Sequence, residues 1–122
     1  MQISEAESVV MEVLWERCPR FAEEVVAELA QARHWQEATI KTLLNRLLNK
    51  GAIRAEKDGR RYRYHAVLER EAWVHGQSRT LIDRLFDGRI APMVAHFSQK
   101  QALGKQDIAE LRRLLEELDD EQ

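Results

Sequence analysis

Lys41, Thr42, Asn45 and Arg46 stand at i, i+1, i+4 and i+5 in the run EATIKTLLNRLLNKG, residues 37–51. On an α-helix that spacing gathers an ammonium, a hydroxyl, a carboxamide and a guanidinium on one side. Such groups complement base-pair edges, the guanidinium or ammonium meeting guanine and the carboxamide meeting adenine. Thr39 and Lys50 on the same helix, and Lys57, Arg60 and Arg61 beyond it, can bond phosphate oxygens. Residues 41–63 hold eight Lys or Arg against Glu56 and Asp58, a local balance of +6. A solvated helix face in a chain with 33% charged residues would mix both signs, yet no carboxylate follows Glu37 on this helix. The residue types and their spacing point to contact with duplex DNA.

The elements that must position these groups are legible around them. Ile40, Leu43, Leu44, Leu47 and Leu48 form one apolar stripe of the helix, and Gly51 supplies the residue that stops it. Upstream, Ser4-Glu5-Ala6-Glu7 matches a capping box that opens a first helix ending near Arg17, before Cys18-Pro19. A second helix is predicted from about Phe21 to Arg33, although Phe21 can accept no hydrogen bond as its cap. With the short connector His34-Trp35-Gln36, the second helix and the basic one make a helix-turn-helix. Segments 53–57 and 60–66 flank Asp58-Gly59, a two-residue hairpin signal, so Lys57, Arg60 and Arg61 tip a β-wing. Tyr62 and Tyr64 share one face of its second strand and read as packing residues. The fold class expected is mainly α: a winged helix-turn-helix of three helices and a two-stranded wing over residues 1–67, then a helical dimerisation region over 68–122.

In that second region three amphipathic helices are expected, from Leu68 to Asp87, from Pro92 through Phe97, and after Leu103-Gly104. About fifty residues in this form cannot bury their apolar faces alone. A second copy is the expected cover, with Trp73, Leu81, Leu85, Phe86, Val94, Phe97, Ile108, Leu111 and Leu115 as dimerisation residues. Two copies would present two helices to two half-sites of a palindrome.

Composition bounds the rest. Of the 122 residues 44% are hydrophobic, and the net charge of −2 hides a balance of −5 over residues 1–40, +6 over 41–63 and −3 beyond. A basic band in an acidic chain is a local footprint rather than general stickiness. Cys18 is the single cysteine, which excludes an internal disulfide and fits a reducing compartment. No signal peptide or spanning segment is visible, so the expected location is the cytoplasm, without membrane insertion. His34, His65, His75 and His96 have no ligand spacing, and no phosphate loop or nucleophile signature occurs. Neither an enzyme, a metal nor a cofactor is expected.

With this pattern laid out, the chain resembles the penicillinase-repressor family (BlaI/MecI type, related to the copper-responsive CopY repressors). The matching residues are Ala6-Glu7, Val10-Met11, Leu14-Trp15 and Pro19; Thr39, Lys41-Thr42-Leu43-Leu44, Arg46-Leu47 and Lys50-Gly51; and Gly59-Arg60, Tyr62 and Tyr64. Leu85-Phe86, Pro92, Val94-Ala95, Phe97 and Leu103 fit the family's dimerisation helices. The resemblance covers nearly the whole chain and implies a homodimeric repressor on a palindromic operator. In the β-lactam-responsive branch it implies release through a membrane sensor protease that cuts an Asn–Phe bond, aligned here with His96-Phe97. The copper branch's Cys-x-Cys cluster has no counterpart in this sequence. The family often starts its second helix from a Thr where this chain has Phe21, and caps its recognition helix with Ser where it has Gln36. Two other readings stay open at this point. One is a winged-helix docking module without DNA affinity, and the other is a small-molecule-responsive regulator of the MarR kind.

Overall fold

A computed structural model describes residues 1–121. The elements run α1 (Glu5–Glu16), β1 (Arg20–Phe21), α2 (Ala22–Arg33), α3 (Glu37–Lys50), β2 (Ile53–Asp58), β3 (Arg61–Ala66), α4 (Arg70–Phe86), α5 (Ile90–Gln99) and α6 (Lys105–Asp120). The chain divides into two compact units, Met1–His75 and Gly76–Gln122, so α4 crosses the division.

In the first unit the capping box forms as read. Ser4 N–H donates to Glu7 Oε1 at 2.7 Å, and Glu7 N–H donates to Ser4 Oγ at 3.1 Å. Val10, Met11 and Leu14 of α1 meet Val25 and Leu29 of α2 and Ile40, Leu44 and Leu47 of α3 in one buried core. Each such side chain, fully buried, gains about 1.5–3 kcal/mol over exposure. The stripe on α3 is therefore the contact that fixes which side of that helix faces outward. Gly51, at φ 79, ends α3 in a Schellman motif. Its N–H donates to Leu48 O at 3.0 Å, and Ala52 N–H donates to Leu47 O at 3.0 Å. Ala52 and Ile53 then pass directly into the core.

Two features of the sheet differ from the sequence reading. The sheet has three strands, not two, in the antiparallel order β1-β3-β2, because Arg20 and Phe21 pair with Tyr64 and Arg63. The wing turn is also displaced by one residue. Asp58 pairs with Arg61, which leaves Gly59-Arg60 as the loop, with Gly59 at φ 65. A glycine of positive φ in the first loop position suits a type II′ turn. The expected register would have set Lys57 against Arg60 and Arg54 against Arg63. The observed one sets Glu56 against Arg63 and Asp58 against Arg61, replacing repulsion with attraction across the ladder.

Trp15 ties the end of the wing to α1, its Nε1 donating to Leu68 O at 2.7 Å. Trp73, in the first turn of α4, stacks on Trp15 with ring centroids 5.5 Å apart. Trp73 thus belongs to the Met1–His75 unit and packs against its core, rather than with the dimerisation residues among which the sequence reading set it.

The second unit comprises the remainder of α4 with α5 and α6. Asp87 and Gly88, at φ 53 and 75, stop α4, and Pro92 sits in the first turn of α5, where a missing N–H costs nothing. Among the described residues Ile82 is the one buried side chain of this unit. Leu81, Leu85, Ile90, Phe97, Ile108, Leu114, Leu115 and Leu118 are all exposed, while Phe86, Val94 and Leu111 are half-buried. No helix is long and apolar enough to cross a membrane among the described residues.

Candidate nucleic-acid interface

With Ile40, Leu43, Leu44 and Leu47 turned inward, about 100° per residue around the helix puts Ala38, Lys41, Thr42, Asn45 and Asn49 outward. All five are exposed, as are Thr39 and Arg46 on one flank. Thr42 Oγ donates to Ala38 O at 2.9 Å, so its hydroxyl remains an acceptor. Lys41 Nζ lies 3.2 Å from Glu37 Oε1, an exposed pair one helical turn apart. Such pairs stabilise by a few tenths of a kcal/mol and exchange readily for a phosphate. Asn45 and Arg46 make no side-chain hydrogen bond among the described residues.

Two depressions flank this face. Ala38, Thr39, Thr42, Leu43 and Arg46 line one along α3. The other, of about 240 Å³, lies between α3, the start of α2 and the wing, and Lys41, Asn45, Arg60 and Arg61 line it together with Tyr62 and Tyr64. Seven of the nine residues assigned to DNA from sequence therefore border two adjoining hollows. Burial pushes the Tyr64 phenol up, against the opposing effect of nearby Lys41. Tyr62 is exposed, so its hydroxyl, unlike that of half-buried Tyr64, is open to a ligand.

The other two residues lie outside both hollows. Lys57 is exposed on β2, paired across the ladder with Tyr62. Lys50 belongs elsewhere. Its Nζ lies 2.6 Å from Oε1 of buried Glu7 and donates to Gln2 O at 3.1 Å. Position 50 falls beside the apolar stripe of α3, which turns the side chain toward α1 rather than outward. The expectation that Lys50 holds phosphate yields to this internal ion pair. Burial opposes charge on Glu7, but the hydrogen bonds from Lys50 and Ser4 outweigh it and hold the carboxyl below its usual range.

One functional side chain escaped the sequence reading. Phe21 was noted only as a poor cap. In the fold its N–H donates to Glu24 Oε1 at 3.0 Å, the N3-carboxylate half of a capping box, while no side chain caps the first N–H groups of α2. Its ring lies beneath Arg61, whose guanidinium carbon is 3.5 Å from the ring centroid. Arg63 is committed differently, to Glu56 and, at 3.9 Å, to Asp58. Arg20, buried, donates to Arg17 O at 2.8 Å and pairs with Glu28. The basic band thus separates into cations turned outward and cations spent on the fold. The alternation Arg61-Tyr62-Arg63-Tyr64 signals two faces, but its partner Phe21 is 40 residues away in sequence.

The profile of the penicillinase repressor family matches residues 3–117. A penicillinase repressor of Bacillus licheniformis is 34% identical over 116 residues, which span 95% of this chain and 91% of that protein. The methicillin resistance regulatory protein MecI of Mammaliicoccus sciuri is 32% identical over 114 residues, 93% of each chain. Among solved structures, the monomeric form of Bacillus licheniformis BlaI in complex with the blaP half-operator aligns with a TM-score of 0.53 and 38% identity, over 58% of this chain and 87% of that one. With an N-terminal winged helix, matched residues from one end to the other and a third of its positions shared with a named relative, the chain belongs to the penicillinase repressor family.

Proposed function

We propose that this chain is a transcriptional repressor that binds a palindromic operator as a homodimer. The observation that carries the reading is the outward face of α3, where Lys41, Thr42, Asn45 and Arg46 stand exposed beside the wing cations Arg60 and Arg61. Donors and acceptors at that spacing suit the major groove, and the wing suits the flanking backbone. The half-operator complex of the BlaI relative supports the same reading for this chain. The docking-module alternative has no need of so many cations left open on one surface.

What supports the homodimer is the second unit, whose apolar side chains are mostly uncovered in a single copy. As cover for Leu81, Leu85, Phe97, Ile108 and Leu115, a second copy also brings two α3 helices to two half-sites. The family resemblance aligns His96-Phe97 with the Asn–Phe bond cut by a membrane sensor protease, keeping the phenylalanine but not the asparagine. The aligned pair lies inside α5, with His96 5.2 Å from the Phe97 ring and 6.1 Å from that of Phe86. A protease acting there must first unwind part of α5.

The test is a titration of the protein with duplex from upstream of its own gene, against excess random duplex. A specific complex of two protomers per site is expected, with about three ionic phosphate contacts each, from Lys57, Arg60 and Arg61, giving a log–log salt slope of about −5. A slope shallower than about −2 would refute the footprint.

A further inference from the structure

We propose that Phe21 is a positioning residue, whose ring holds Arg61 in place as one wall of a seat for a DNA backbone phosphate between α3 and the wing. The inference deepens the operator-binding reading and rests on it. The pairing of β1 with β3 sets Phe21 opposite Arg63, so the two arginines that alternate on one face of β3 both rise over the Phe21 ring, at 3.5 Å and 6.0 Å from the centroid. Arg63 is spent on Glu56 and Asp58. Arg61 has no carboxylate within salt-bridge distance among the described residues, and its guanidinium carbon sits over the ring, 3.5 Å from the centroid.

A stacked guanidinium keeps its N–H donors at the edge of its plane, free to meet an anion. Stacking also removes much of the side-chain freedom that an arginine would otherwise lose on contact. Arg61 shares its cleft with Lys41, Asn45, Arg60 and Tyr62, and the one carboxylate on the lining is Glu23. On the wing side of this cleft of about 240 Å³, the two guanidiniums and the Tyr62 phenol suit a singly charged phosphodiester, while Lys41 and Asn45 border it from the outward face of α3. Phe21 touches Arg61 and acts on the phosphate only through it. It is itself fixed at the start of α2 by the bond from its N–H to Glu24 and by the pairing of β1.

A phosphate contact is independent of sequence, so the probe is a short random-sequence duplex titrated by anisotropy over a range of salt. Phe21→Leu and Phe21→Met, which keep bulk but no ring, are expected to weaken binding roughly threefold or more and to flatten the salt slope toward that of Arg61→Ala. Phe21→Tyr, which keeps the ring, is expected to match the parent. In an Arg61→Ala background Phe21→Leu should have no further effect. Equal losses with and without Arg61 would reduce Phe21 to a packing residue and overturn the proposal. Should the aliphatic variants fail to fold by circular dichroism, Arg61→Ala decides, because an unchanged salt slope there removes the seat. A parent protein with no salt-dependent affinity for duplex would instead defeat the operator reading itself, whereas a parent that binds and a Phe21→Leu variant that equals it would defeat this inference alone.

Discussion

Lys50 Nζ lies 2.6 Å from Oε1 of Glu7, joining the last turn of α3 to the first turn of α1. Glu7 is 1% exposed, and one of its two oxygens has no hydrogen-bond partner. Removing the ammonium leaves a buried carboxylate held by Ser4 alone. Lys50→Met is expected to destabilise the chain by about 2 kcal/mol in urea unfolding. Arg54→Ala, at an exposed position, should cost less than about 0.5 kcal/mol. Equal costs would remove Lys50 from this structural role.

The same carboxyl sets part of the acid limb of stability. The folded pKa of Glu7 lies below its ordinary 4.5, so the unfolded chain takes up a proton first as pH falls. Its contribution is complete above about 4.5 and is lost as pH falls through the lower folded value. Glu7→Gln should therefore flatten the fall in melting temperature between those two limits and lower stability near neutrality. A variant whose acid limb overlays the parent's would contradict the assignment.

On the outward face of α3, Lys41→Ala is expected to weaken operator binding by roughly tenfold or more, since its ammonium faces the cleft shared with the wing. Lys105→Ala, at the start of α6, should leave affinity within about twofold. Equilibrium anisotropy at fixed salt measures both. Equal losses would point to net charge rather than to a reading surface.

The two stacked indoles make a sharper test of the first unit. Trp15 Nε1 donates to Leu68 O, whereas Trp73 Nε1 is buried without a partner. Trp15→Phe loses a hydrogen bond and strands a carbonyl, for about 1–2 kcal/mol. Trp73→Phe removes an unpaired donor and should cost less. Neither change should alter the association state measured by sedimentation equilibrium, because both rings sit in the Met1–His75 unit.

For the second unit the expectation is reversed. Leu115, 60% exposed in one copy, would be covered in the proposed dimer. Leu115→Glu should raise the dimer dissociation constant at least tenfold in sedimentation equilibrium, a charge in an apolar interface being costly. The first unit's near-ultraviolet signal, dominated by Trp15, Trp35 and Trp73, should persist.

How much of this was legible in the sequence depended on range. The α3 stripe, its stop at Gly51 and the Ser4 capping box are patterns within a few residues, and each appears where it was read. What sequence could not place was contact across distance. Glu7 and Lys50 are 43 residues apart, so a terminal lysine looked available when it was already paired. β1 is two residues long, too short to show alternation, and only its pairing with β3 turns Phe21 from a poor cap into a support for Arg61. The wing turn lies one residue beyond the place the Asp-Gly pair signals, in a register that sets Glu56 and Asp58 opposite Arg63 and Arg61. Trp73 kept its apolar character but changed its neighbours, since helical spacing does not say which core a residue joins.

Among its described residues the second unit has one buried side chain and eight large apolar ones open to water, so in the proposed dimer its stability would depend on meeting another copy. Where protomers are scarce, the population of paired molecules rises with the square of their number, so halving the protein cuts it by about fourfold. A gene held silent by the proposed dimer would answer to abundance itself. Dilution at cell division, a slower rate of synthesis or faster turnover would each release it without any ligand, and the leucines of α6 would set the abundance at which that release comes.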